Sequence, residues 1–155
     1  MNVRTDTYCG LYCGACKVLL ANKKKLVKEI ATEWQMAESD LRCNGCKSNV
    51  VATCSQECEI KACAEEKGID FCFQCDDYPC KILNDLKNDD QPHHSIILHN
   101  LGLIKEKGID KWFNDQKTRW SCPTCKEEYS WYEDECLNCG NSLKTCLDDE
   151  KEIEN

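Results

Sequence analysis

The chain has 155 residues, of which 16 are cysteine and only 30 are leucine, isoleucine, valine or phenylalanine; its net charge is −8 and its pI 4.9. That aliphatic share sits close to the roughly 20% level below which chains tend not to fold unaided, so something besides apolar burial must hold this fold. The acidic balance disfavours non-specific binding to phosphate backbones, which needs a basic field, and no stretch approaches the roughly 20 apolar residues of a membrane span.

The opening "MNVRTDTYCGLYCGAC" has no apolar run of signal-peptide length, so a cytoplasmic location is expected. Thiols stay reduced there, and repeated C-x2-C pairs then point to metal ligation in place of disulfides. A dication held by four thiolates carries about −2, so three such sites would take the chain to about −14.

In chain order, the first chemistry-bearing stretch is "CGLYCGAC", which sets Cys9, Cys13 and Cys16 at C-x3-C-x2-C. The spacing resembles that of radical S-adenosylmethionine enzymes, whose triplet lies on a loop of a large partial β/α barrel. A helical run with no glycine-rich strand end follows here, so that chemistry is set aside. Residues 17–37 place Leu19, Leu20, Leu26, Val27, Ile30, Ala31 and Trp34 at helical spacing, with lysines opposite, and predict one amphipathic helix. The "KKK" at 23–25 reads as its solvated face.

Eight cysteines fall in the next 40 residues. A helix is expected over about 55–67, capped by Gly68. If it is continuous, Cys54 and Cys58 share a face and Cys63 does not; otherwise it begins only after Cys58. Further helices are expected after Pro79, after Pro92 with Gly108 as cap, and over "IDKWFNDQKTRW". The pentapeptide "EKGID" occurs at 66–70 and 106–110 and reads as one helix-stop device used twice.

From Trp120 the composition shifts to short, aromatic-rich sequence. Cys122, Cys125, Cys136 and Cys139 form two C-x2-C knuckles ten residues apart, and Tyr129, Trp131 and Tyr132 read as strand residues of an intervening hairpin. The expectation is a small β zinc ribbon with a closed, structural site; a rubredoxin-like iron site is the lesser alternative. Residues 105–146 carry seven Lys/Arg against eight Asp/Glu, so no basic face for nucleic acid is expected. The acidic end reads as a disordered tail.

Eleven N-terminal cysteines remain: Cys9, Cys13, Cys16, Cys43, Cys46, Cys54, Cys58, Cys63, Cys72, Cys75 and Cys80. Cys43, Cys46, Cys72 and Cys75 have zinc-tetrad spacing, Cys80 is a candidate fourth ligand for the first triplet, and Cys54, Cys58 and Cys63 are then left over. Zinc and a [4Fe–4S] cluster both stay open, the cluster fitting the first triplet best. His93, His94 and His99 read as surface or capping residues, and Asp76 and Asp77 as turn residues before Pro79. No nucleophile–base pair, phosphate loop or paired carboxylates stand out.

The motifs "YCGLYCGAC", "CNGCKS", "CAEEKG", "FCFQCDDYPC" and "NLGLIKEKGIDKWF" resemble a cysteine-rich family of unknown function found in anaerobic bacteria and archaea, over about residues 5–115; some members also carry a C-terminal segment with "RWSCPTC" and "SWY". The resemblance implies metal binding by the eleven cysteines, with no assigned reaction. The expected architecture is a mainly α, metal-stabilised domain over 1–119, a β zinc ribbon over 120–146 and a disordered tail over 147–155. The expected function is a cytoplasmic metal-binding module for a protein partner, not an enzyme, with an iron–sulfur protein in electron transfer or a small redox or lyase reaction as the alternative. A nucleic-acid-associated factor is the weakest reading.

Overall fold

The structure, a computed structural model, describes residues 3–154. Helix α1 (Lys17–Lys24) and α2 (Val27–Trp34) take the place of the single helix expected over 17–37. The break is at Lys25, which is left-handed at φ 61° and ψ 38°. One turn earlier, the Asn22 side chain donates to the carbonyl of Leu41 and accepts from the Cys43 backbone. Asn22 therefore ties the end of α1 to the loop that carries Cys43, while Leu26 N–H returns to the Ala21 carbonyl and redirects the chain.

The 55–67 helix also divides, into α3 (Thr53–Gln56) and α4 (Glu59–Lys67), with Cys58 extended at the N-cap of α4. After a 3-10 turn at Cys72–Gln74 come α5 (Lys81–Lys87), a second 3-10 turn at Pro92–His94, α6 (Ile97–Lys107) and α7 (Ile109–Arg119). The two copies of "EKGID" behave differently. Gly68 is left-handed and stops α4, whereas Gly108, at φ 86° and ψ 158°, donates to Ile104 and accepts from Trp112, so it joins α6 to α7.

The expected β zinc ribbon is not formed, and the fold-class expectation is corrected there: among the described residues there is no strand, and the pairing in this region is two isolated antiparallel bridges, Ser121 with Glu128 and Glu135 with Ser142. The donors that a longer ladder would need are used elsewhere. Tyr129 N–H to Trp120 and Leu143 N–H to Asp134 only complete those two bridges, and the donors that would extend the pairing go outside it, Trp131 N–H to Ala15 and Cys146 N–H to Trp131. The aromatic residues read as strand positions instead pack inward or sideways: Tyr129 is buried, and Trp131 stacks on His93 at 4.1 Å.

The stretch expected as a disordered tail forms α8 (Cys146–Glu154). Thr145 and Asp148 exchange a cap, with Asp148 Oδ2 accepting from Thr145 N–H and Thr145 Oγ1 accepting from Leu147 N–H. Asp148 and Asp149 place negative charge in the first turn, where the helix dipole favours it. Arg119 then fastens α8 to α7: its Nε is 2.8 Å from Asp149, and its other nitrogens reach Tyr129 Oη and the Thr145 carbonyl.

The core is three small clusters, not one mass. One joins Val18, Leu19, Leu41 and Cys43; a second joins Cys9, Ile60, Leu83, Ile97 and Leu101. The third carries Tyr12, Trp112 and Trp120 against Cys122, Tyr129 and Cys136, so α7 and the last cysteine pairs share one apolar interior. Lys23 and Lys24, expected as solvated, pair with Glu128 and Glu127 at 2.9 and 2.7 Å and fasten the same junction from outside.

Candidate metal centre

Two tight turns build the C-terminal site. In the first, Cys122 N–H donates to Glu127 and Lys126 N–H to Cys122; in the second, Cys136 N–H donates to Asn141 and Gly140 N–H to Cys136. Lys126 and Gly140 hold equivalent left-handed positions, at φ 68° and 76°. Each turn presents two sulfurs to the same point. The Sγ atoms of Cys122, Cys125, Cys136 and Cys139 all lie within 4.8 Å of one another, with 3.6 Å between Cys122 and Cys139 and 3.5 Å between Cys125 and Cys136. Tetrahedral thiolates at the ~2.3 Å bond length of zinc sit about 3.8 Å apart, so the donor set and spacing fit one such ion.

Its electrostatics favour thiolate at Cys122 and Cys125, whereas at Cys139 the Asn141 backbone lowers the thiol but burial and the neighbouring sulfurs outweigh it and push it up to about 12. Hydrogen bonding from the Asn138 side chain, and then from the Glu127 backbone, lowers the Cys125 thiol to about 6. Backbone donation from Cys125 and Thr124 lowers Cys122. Amide donors of this kind orient and stabilise metal-bound sulfur.

The eleven N-terminal cysteines are placed by turns and helix starts. Cys13 and Cys16 bracket one 3-10 turn, Cys72 and Cys75 bracket another, and in each the second cysteine's N–H donates to the first one's carbonyl. Cys58 and Cys80 are the N-cap residues of α4 and α5, and Cys63 lies within α4. Among the described residues, no three of these eleven thiols lie within 4.8 Å of one another.

They nonetheless form two neighbourhoods. Cys13 lies in the field of Cys9, Cys16, Cys43 and Cys46, with Cys54 and Cys58 at the margin, and Cys9 also joins the second group, acting on Cys72 and packing against Cys72 and Cys80. Cys63, Cys72, Cys75 and Cys80 line one cavity. The spacing groups Cys72 and Cys75 with Cys43 and Cys46; in the fold they line a cavity together with Cys63 and Cys80. Burial pushes the thiols of Cys16, Cys46 and Cys72 up to about 11, 12 and 12, and Cys13 well above its ordinary value. Without metal these groups are neutral near pH 7, so metal entry must release protons and binding must weaken with acid.

Three supporting residues carried no sequence signal. Lys47, next to Cys46, is buried over the Tyr8 and Phe71 rings and pairs with Asp6 at 3.0 Å. Lys67 donates to Cys75 Sγ at 3.0 Å. His93, expected at the surface, is lowered to about 4 by burial and then by His94, and its Nδ1 lies 2.7 Å from Tyr132 Oη. The partners of all three are distant in sequence or untyped by any motif.

The family model described as a protein of unknown function, DUF3795, matches residues 5–85, a span that contains all eleven N-terminal cysteines and stops before the C-terminal four. Comparison with curated proteins and with solved structures finds no match among either. With more than half of its length matched, the chain belongs to the DUF3795 family of unknown function.

Proposed function

We propose that this is a metal-binding protein whose C-terminal four-cysteine site holds a structural zinc ion and whose role is that of a binding or adaptor module for a protein partner. The observation that supports this is the convergence of four cysteine sulfurs within 4.8 Å. Four thiolates complete a tetrahedral zinc shell and leave no position for water or substrate, which is the arrangement of structural sites. The reduced thiols suit a cytoplasmic setting, and the net charge of −8 argues against a nucleic-acid partner. Among the described residues, no helix is long and apolar enough to cross a membrane.

The test is zinc content in the full chain and in the double variant Cys136→Ser, Cys139→Ser. The variant should contain about one zinc fewer per chain. Equal zinc in the two proteins would refute the assignment. A second reading, an iron–sulfur protein, is favoured by the four thiols around one cavity.

A further inference from the structure

The cavity between α4, the Cys72–Gln74 turn and the start of α5 has a volume of about 170 Å³. This is several times the ~30 Å³ that one water occupies in the liquid. Four thiols face it from three elements: Cys63 from α4, Cys72 and Cys75 from the turn, and Cys80 from the N-cap of α5. The remaining wall is mostly apolar, with Ile60 and Leu83 behind the sulfurs. An apolar cavity has no evident reason to gather four of sixteen cysteines unless they share a ligand.

We infer that Cys63, Cys72, Cys75 and Cys80 hold a [4Fe–4S] cluster in this cavity. The inference extends the metal-binding reading to a second site and does not depend on zinc at the first. Two observations favour a polynuclear cluster over one ion. No three of these sulfurs lie within 4.8 Å of one another, whereas the C-terminal four do, so this set is spread wider than a mononuclear site. A cubane needs that spread, because its ligands bind irons at separate corners. Finally, Cys75 Sγ already accepts from Lys67 Nζ at 3.0 Å and from Asp77 N–H at 3.4 Å, the N–H···S contacts that stabilise a cluster and set its potential.

Loading is ligand exchange without electron transfer. A preformed [4Fe–4S] cluster arrives on a thiolate carrier, four protein sulfurs each lose a proton and form an iron–sulfur bond, and the carrier thiolates leave and take up those protons. With four cysteine ligands no iron is left open, so the site is suited to passing electrons or holding the fold, not to binding substrate.

The test is iron, acid-labile sulfide and zinc in the anaerobically purified full chain, in the double variant Cys72→Ser, Cys75→Ser, and in Lys67→Met. Wild type should contain about four iron and four sulfide per chain. The double variant should lose both while keeping the zinc of the C-terminal site, which also shows that the chain still folds there. Lys67→Met keeps all four ligands, so it should retain iron but with a more negative reduction potential, because a positive charge and an N–H···S bond are gone. Wild type without iron, a zinc equivalent lost in the double variant, iron retained in it, or an unchanged potential in Lys67→Met would each overturn the inference. Loss of zinc in Cys136→Ser, Cys139→Ser with iron intact separates the two sites.

Discussion

Lys47 Nζ lies 3.0 Å from Asp6 Oδ2, and both side chains are more than nine-tenths buried, at 4% and 7% exposure. The same ammonium donates to the Asp70 carbonyl at 2.7 Å and sits over the rings of Tyr8 and Phe71. It thereby joins the N-terminal segment, the Cys43–Cys46 turn and the approach to Cys72. Burial raises the Asp6 carboxyl, but hydrogen bonds from Arg4 and Lys47 outweigh it and leave the group below its ordinary value.

Lys47→Met should therefore destabilise the chain by about 2–3 kcal/mol, somewhat below the 3–5 kcal/mol of a fully broken buried pair because Arg4 still holds Asp6. Urea unfolding checks it. Lys47→Met combined with Asp6→Asn should cost less than the two single changes added together, since no buried carboxylate is left without its cation. The contribution of Asp6 is present above its unfolded value near 4 and should be lost as pH falls through the lower folded value.

Gly45 is the least replaceable residue of "CNGC". At φ 106° it lies in a backbone region that L side chains rarely adopt, and a Cβ there would come within 1.8 Å of the Arg4 carbonyl oxygen. The neighbouring Arg4 N–H bond to the Asn44 carbonyl, at 2.7 Å, keeps the two segments from separating. Gly45→Ala should cost about 3 kcal/mol in thermal or urea unfolding. Gly68→Ala, where nothing lies within 4 Å of the added carbon, should cost only about 1 kcal/mol.

His93 supplies a pH response outside the thiols. Its folded value of about 4 lies below the unfolded value of about 6.5, so the unfolded chain binds the proton first. Stability contributed by the neutral, stacked ring is complete above about 6.5 and is lost as pH falls from there toward 4, by up to about 1.4 kcal/mol per pH unit. His93→Phe keeps the stacking on Trp131 and removes the titration. The wild-type slope of stability against pH in that window should exceed that of the variant, both proteins being compared with the same metal content.

Much of the helix content is legible in sequence because it rests on local periodicity: Ile97, Leu101 and Ile104 repeat on one face and are all buried. The breaks are not legible. Lys25 takes a left-handed position that no glycine marks, and Asn22 is drawn to a loop some twenty residues away. α8 escapes notice for the same reason, since its Asp149 partner, Arg119, is 30 residues upstream. Of the metal chemistry, the C-terminal four are readable because each C-x2-C knuckle is a self-contained turn. The grouping of Cys63 with Cys72, Cys75 and Cys80 depends on how α4 meets α5, which spacing does not encode. Tyr129 and Trp131 mislead because alternating aromatic residues look like a strand, and here the pairing stops after one bridge, which Tyr129 N–H completes with Trp120 while Trp131 N–H is spent on Ala15.

Metal ligation in place of apolar burial is most directly tested by removing the metal. The full chain, kept reduced and anaerobic, is stripped with a chelator and followed by far-ultraviolet circular dichroism through thermal unfolding, with metal content measured on the same sample. Metal-free protein should lose its cooperative transition and much of its helical signal, and both should return when metal is restored. A metal-free chain with the same helical signal and an unchanged unfolding midpoint would contradict the account.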